Sequence, residues 1–489
     1  MTLFLAEQAW LGSSLARDVL IGHADGVITS VVPGVSAASY PSAVLLRGLC
    51  LPGFVNTHSH AFHRVLRGVG ESRPGDFWTW RQLAYSAASG LDPDSYRELA
   101  SLVYAEMVLS GYTAVGEFHY LHHGPGGVPY SDPNALGLSV LSAASVAGIR
   151  VTLLDACYLQ AGVDGSVLSG PQLRFGDGSG ELWSERVSRL LELSPSPASG
   201  PASGPASGPA SSPAGGAAAG PAGAAGGMTR FGVAIHSVRA VPRAALSTVV
   251  AVAHANDLPL HVHLSEQRRE NEACLKVLGL TPTDLLASVG ALTASTTAVH
   301  ATHLTASDLT RLGLAQCGVC ACPTTERDLG DGIGPFSELA EAGAVLSIGS
   351  DSQAVIDPFE ETRAVELNSR LSEERRGLFT VPELLSLGSS GGARALGWPS
   401  GGIVVGGLAD LVSVRLSSVR LAGGSSPPGL ASDESLLARV VFGASPADVD
   451  TVVVGGNVVV QDGEHVTLGA PERIAERLGH AVAAALGVD

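Results

Sequence analysis

Apolar and polar positions follow two rhythms along this chain. Near the start, short apolar runs alternate with turn residues, as in Asp18-Val-Leu-Ile-Gly-His23 and Gly26-Val-Ile-Thr-Ser-Val-Val-Pro-Gly34. Such runs predict short β-strands. The far end repeats the pattern over Gly402–Val414 and Val452–Val460. Two strand-rich ends around a different middle predict one small β-sandwich domain, built discontinuously from residues 1–50 and 402–470. A helix is expected over 471–489.

Between them, residues 51–401 alternate strands with helices. An amphipathic helix reads over 92–110, a strand over Thr113–His119, a helix over 132–147 and a strand from Ile149. Further strands read at 231–236, 258–264, 296–300, 317–322 and 344–349. About eight strand–helix units over some 350 residues predict an α/β fold of the (β/α)8 TIM-barrel type, with an open doubly wound sheet as the alternative. Residues 195–227 break the rhythm with Pro-Ala-Ser-Gly repeats. This composition cannot bury enough apolar surface to offset its ordering entropy, so a flexible surface insertion is expected.

Composition narrows the function classes. The chain has 489 residues, 45% of them hydrophobic, enough for a sizeable core. A formal charge of −17 argues against a nucleic-acid partner and against a basic membrane-binding surface. No apolar run approaches the roughly 18 residues of a membrane span. Met1–Trp10 lacks a basic n-region and carries Glu7, unlike a secretory signal. Six cysteines, most inside apolar runs, read as reduced core thiols. The irregular Cys317-x-x-Cys320-x-Cys322 spacing does not read as a zinc site. A cytoplasmic protein is expected.

Candidate chemistry concentrates after the apolar runs. In a barrel, reactive groups sit at the C-terminal ends of the strands. One run ends Asn56-Thr-His58-Ser-His60, and residues two apart on a strand share a face, so two imidazoles can aim at one point. Others end His261-Val-His263-Leu-Ser-Glu266, Val299-His300-Ala-Thr-His303 and Gly349-Ser-Asp351. Each residue alone is commonplace. All of them at predicted strand ends indicate a divalent metal, with Glu266 nearby.

These motifs resemble the amidohydrolase superfamily of metal-dependent barrel hydrolases and deaminases, over nearly the whole chain. The resemblance implies metal ligands at His58, His60, His263 and Asp351. It implies catalytic roles for Glu266, as the acid–base residue of the His-x-x-Glu motif, and for His300 and Asp351. Binuclear members usually bridge two metals with a modified lysine on a middle strand. Here Phe231–His236 has none, and the single lysine, Lys276, falls in a helical stretch. One metal per subunit is therefore expected, Zn2+ by the resemblance, with Fe2+ suited to the same donors.

Longer stretches are similar to the formimidoylglutamate deiminase family of histidine degradation. They are Phe77-Trp-Thr-Trp-Arg81, Glu117-Phe-His-Tyr120-Leu-His-His123, His236-Ser-Val-Arg239 and Cys322-Pro-Thr-Thr-Glu326-Arg-Asp-Leu-Gly-Asp-Gly332. That resemblance implies hydrolysis of N-formimidoyl-L-glutamate to N-formyl-L-glutamate and ammonia, and a homodimer. A dicarboxylate calls for guanidinium forks. Arg81 and Arg239 are the candidates, with His63, Tyr120 and His236 adding hydrogen bonds. His63 stands where the family pattern often carries Gln. Trp78 and Trp80 predict a packed, positioned loop around Arg81. The rivals are a deaminase of guanine or another aminated heterocycle, which predicts a pocket without paired arginines, and a non-catalytic barrel scaffold, which predicts damaged metal ligands.

Overall fold

A computed structural model describes residues 2–69, 75–193, 227–399, 401–423 and 432–487. The low-complexity insertion expected at 195–227 lies, apart from Gly227, outside the described residues.

Eight parallel strands form the inner sheet in sequence order. Its strands are the fifth to twelfth of the chain, preceded by β1 (Leu3–Trp10), β2 (Leu15–Ala24), β3 (Val27–Val32) and β4 (Val44–Pro52). They run β5 (Phe54–Ser59), β6 (Tyr112–His119), β7 (Arg150–Cys157), β8 (Thr229–Ser237), β9 (Leu260–Leu264), β10 (Thr296–His300), β11 (Gly318–Ala321) and β12 (Val345–Ile348). Strands β5, β6 and β7 are buried at every position, as expected for a parallel sheet covered by helices. The sheet closes on itself. Asp351 N donates to His58 O at 2.9 Å, and His60 N donates to Asp351 O at 3.1 Å. Asn56 and Ser350 add a second pair of bonds across the seam, at 2.6 and 3.0 Å. Closure selects the barrel over the open sheet.

The helices follow from local chemistry. Pro93–Ser110 starts at a capping box between Asp92 and Ser95, with Pro93 in the first turn, and ends at Gly111 with φ 107°. The final helix spans Pro471–Leu486. Phe77–Ser89 is also a helix, with Asp76 accepting from Thr79 N, so Arg81 stands on a helix and not on the loop its tryptophans predicted. Helical spacing puts Arg81 and Tyr85 on one face, where Arg81 Nε donates to the Tyr85 hydroxyl.

The second sheet joins both ends of the chain. With β13 (Leu411–Val414), β14 (Val449–Val454), β15 (Asn457–Gln461) and β16 (Glu464–His465), its order is β16-β15-β14-β13-β4-β1-β2-β3. Here β4 pairs with β13 from the far end, Leu49 against Val414 and Pro52 against Leu411. The apolar run Val44–Val55, which reads as one stretch, is split. The chain changes sheets at Gly53, where any Cβ would lie 2.3 Å from Thr113 Oγ1.

A buried ion pair ties the two sheets. Arg150 on β7 is fully buried, and its Nε and Nη2 meet Asp410 at 2.7 and 3.1 Å. Gly455 N adds a third bond to the same carboxylate at 2.7 Å. Breaking a buried pair strands a charge. Asp410→Ala is therefore expected to lower unfolding free energy by about 3–5 kcal/mol, measurable by urea denaturation. A loss below about 1 kcal/mol would mean the pair behaves as a surface contact.

Candidate functional site

Four buried side chains converge at the C-terminal mouth of the barrel. His58 and His60 flank the end of β5, His263 sits on β9, and Asp351 follows β12. Their ligand atoms all lie within 4.8 Å of one another. His263 Nε2 is 3.1 Å from His58 Nε2 and 3.4 Å from His60 Nε2. Asp351 Oδ1 is 3.2 and 3.4 Å from the same two nitrogens. Room for this packing comes from Gly349, where a Cβ would meet His58 Cβ at 2.8 Å.

The donor set fits a divalent cation. His60 Nδ1 bonds Phe118 O at 2.9 Å, and His263 Nδ1 bonds His236 O at 2.7 Å. A carbonyl accepts only from N–H, so both rings carry their proton on Nδ1 and turn an Nε2 lone pair to the shared point. Lone pairs held this close repel unless a cation lies between them. Donor separations of 3.1–3.4 Å match a common neighbour at about 2.0–2.1 Å. Burial lowers the pKa of His58, His60 and His263, which keeps them in the neutral form a metal needs. Among the described residues only one other cluster has ligand character: His300, Cys322 and Glu326. Burial raises the Cys322 thiol well above its usual range, so it stays protonated there. Lys276 is exposed on the helix Arg268–Leu278, and β8 contributes no lysine.

Beside the cluster lie further buried titratable groups. Glu266 Oε1 and Asp351 Oδ2 each sit 3.8 Å from His300 Nε2. Burial pushes the Glu266 carboxyl up to about 7, against the pull of His300 and Arg239. Burial would lower His300, but the carboxylates of Glu266, Glu326 and Asp351 outweigh it and raise its pKa well above the usual value. His300 (φ 68°) and Asp351 (φ 45°) both hold left-handed backbone conformations that non-glycine residues rarely adopt. Such strain persists where surrounding structure fixes it, often at functional sites. His303, three residues on, is half-buried and holds Asn271 through its carbonyl at 2.6 Å.

Around this centre the remaining expected residues gather. His63 Nε2 and the Tyr120 hydroxyl are 2.8 Å apart. The His236 ring lies 5.1 Å from that of Tyr120 and 4.4 Å from that of Tyr158. Arg239 reaches Glu266 at 3.4 Å and Glu270 at 3.5 Å. The Arg81 and Arg239 guanidiniums lie 5.5 and 5.9 Å from the Trp78 ring. Every residue expected from the motifs is thus brought to one mouth of the barrel.

A model of the amidohydrolase family matches residues 49–459. The chain belongs to the amidohydrolase family. A formimidoylglutamate deiminase from Pseudomonas aeruginosa is 36% identical over 476 residues, covering 95% of this amidohydrolase and 96% of the relative. A 5-methylthioadenosine/S-adenosylhomocysteine deaminase from Natronomonas pharaonis is 27% identical, covering 94% and 92% of the two chains. The crystal structure of an amidohydrolase from Brucella melitensis superposes with a TM-score of 0.84 at 29% identity, covering 99% of this chain and all of the other.

Several groups around this amidohydrolase's cluster received no role from sequence, although Glu117, Glu326 and Asp331 fall inside the quoted motifs. Tyr158 directly follows β7, where the strand-end rule would have found it. Glu326 meets His300 Nδ1 at 3.4 Å and accepts from Cys322 N at 2.9 Å. Asp331 accepts from Gln267 beside Glu266, and burial raises its carboxyl to about 9. Glu117 buttresses the His58–His60 turn, accepting from Ser59 Oγ at 2.8 Å and Ala61 N at 2.7 Å. Gln172 carries no local signal at all.

Purified protein should bind one divalent ion per chain, and His263→Ala should lose it. Metal content by plasma emission spectrometry reads the result. Full metal retention in the variant would remove His263 from the donor set.

Proposed function

We propose that the protein is a mononuclear metal-dependent deiminase that hydrolyses N-formimidoyl-L-glutamate to N-formyl-L-glutamate and ammonia. The observation that carries this reading is that two buried or half-buried guanidiniums, Arg81 and Arg239, meet at Trp78, with Arg239 also in contact with Glu266. Two cations suit a substrate with two carboxylates, whereas a purine ring offers them no anion. The 36% identical relative supports it. At a coarser level the reading is that of an amidohydrolase-type hydrolase acting on a C–N bond.

His58, His60, His263 and Asp351 would hold the ion, which when bound supplies Lewis-acid activation of water. Glu266, with its carboxyl near neutrality, takes a proton from the water whose oxygen bonds the formimidoyl carbon. It passes that proton, and then the proton of the tetrahedral hydroxyl, to the terminal nitrogen, which leaves as ammonia as the C–N bond breaks and the C=O bond forms. His300 and Asp351 position the water and stabilise the tetrahedral centre. Arg81 and Arg239 bind the carboxylates, and Tyr120, His63 and His236 shape the wall between them. Zinc is the ion proposed, with iron(II) suited to the same donors. The protein would act in the cytoplasm as a homodimer.

Ammonia release from N-formimidoyl-L-glutamate, measured with one equivalent of zinc and again after chelation, tests the reading. Rapid release that chelation abolishes is expected. No release by fully metallated protein would move the substrate to an aminated heterocycle. Glu266→Gln should keep its metal and lose about 10²–10⁴-fold in kcat, the range for a general acid–base; near wild-type turnover would remove that role. Arg81→Met should raise KM about tenfold or more, the scale of a charged hydrogen bond, with little change in melting temperature. Unchanged kinetics would take Arg81 out of the substrate site.

A further inference from the structure

Beyond Arg81 the wall of the site holds a closed ring of polar atoms. The Tyr85 and Tyr158 hydroxyl oxygens lie 3.0 Å apart. Arg81 donates through Nε to Tyr85 and through Nη2 to Tyr158 at 3.1 Å. Gln172 Nε2 donates to Tyr158 at 3.0 Å and to Tyr85 at 3.3 Å. A phenolic oxygen offers about two acceptor positions and one proton. The N–H groups crowd the acceptor positions of both hydroxyls, and in the bond between the two hydroxyls only one of them can be the donor. The other hydroxyl proton has no acceptor within the ring.

This excess of donors is buried and positively charged. Tyr85 and Gln172 are each 7% exposed and Tyr158 1%. Among the described residues no carboxylate pairs with Arg81; its electrostatic partners are Tyr158 and Tyr85. A buried donor without an acceptor is costly, and a ligand anion relieves it. The place also fits. The Tyr158 ring packs 4.4 Å from that of His236, whose carbonyl orients His263. Arg239, by contrast, contacts Glu266 directly. Arg81 itself has no ion pair with Glu266 among the described residues, so Arg239 and not Arg81 adjoins the Glu266 carboxyl.

We infer that Tyr85 and Tyr158, held as proton donors by Arg81 and Gln172, determine specificity for the substrate carboxylate farther from the reacting carbon. Gln172 is a positioning residue that acts through the two phenols. The inference rests on the dicarboxylate reading above. It assigns the side-chain carboxylate of the glutamyl group to Arg81, Tyr85 and Tyr158.

The test compares N-formimidoyl-L-glutamate with N-formimidoyl-L-glutamine, the isostere whose side chain alone is uncharged, in wild type, Tyr158→Phe, Tyr85→Phe and Gln172→Glu. The preference in kcat/KM for the glutamate form should fall about tenfold to a hundredfold in each Phe variant, through KM, as expected for one bond to a charged group. Gln172→Glu supplies an acceptor for the phenol protons and a negative charge, so its preference should fall further. Metal content and melting temperature check that each variant is folded, and any one folded variant decides the matter. An equal loss on both substrates, or an unchanged preference, overturns the inference. If wild type releases ammonia from neither compound, the dicarboxylate reading fails by itself. Calorimetry with glutarate then decides the pocket: binding to wild type that is lost in Gln172→Glu upholds it, and no binding to wild type overturns it.

Discussion

The site depends on the seam that closes the barrel. An open parallel sheet would leave β5 and β12 with unpaired edges and nothing to hold their ends together. The exchange between Asp351 and the residues His58 and His60 removes both edges. The same two bonds fix three of the four donors relative to one another. Main-chain pairing sets the spacing, so the side chains need little freedom to meet. The fourth donor, His263, reaches the same point from β9 and is turned by a carbonyl of β8. Fold closure and assembly of the cluster are one event.

Burial then sorts the charges. The same exclusion of water lowers the ligand histidines, raises Glu266 and raises Asp331, while the surrounding imidazoles overcome burial to hold Asp351 well below the usual carboxylate range. Neutral imidazoles and an ionised aspartate are what a metal requires. A carboxyl near neutrality is what two-way proton transfer requires. Two arginines, Arg81 and Arg239, bring positive charge to the same mouth of the barrel.

The donor cluster was legible because strand period is strict. His58 and His60 share a face for that reason, and His263, His300 and Asp351 each end or follow a predicted strand. Arg81 was legible as a residue but not as a place. Its two tryptophans read as a packed loop, while the structure gives a helix capped by Asp76. Gln172 was illegible, because its segment Gly170–Phe175 is a short 3-10 turn without periodicity. Its partners Tyr85 and Tyr158 lie 87 and 14 residues away.

By itself, the sequence determined the alternation of strands and helices, the strand-rich ends, the single lysine far from β8 and the residues able to bind a metal. These are properties of local period and of composition, which each segment carries alone. Tertiary structure decided that the sheet closes, that the chain changes sheets at Gly53, that Arg150 meets Asp410, and that two phenols and a glutamine surround Arg81. Those facts join residues tens to hundreds of positions apart. No local pattern records such pairings, because they exist only once the chain has packed.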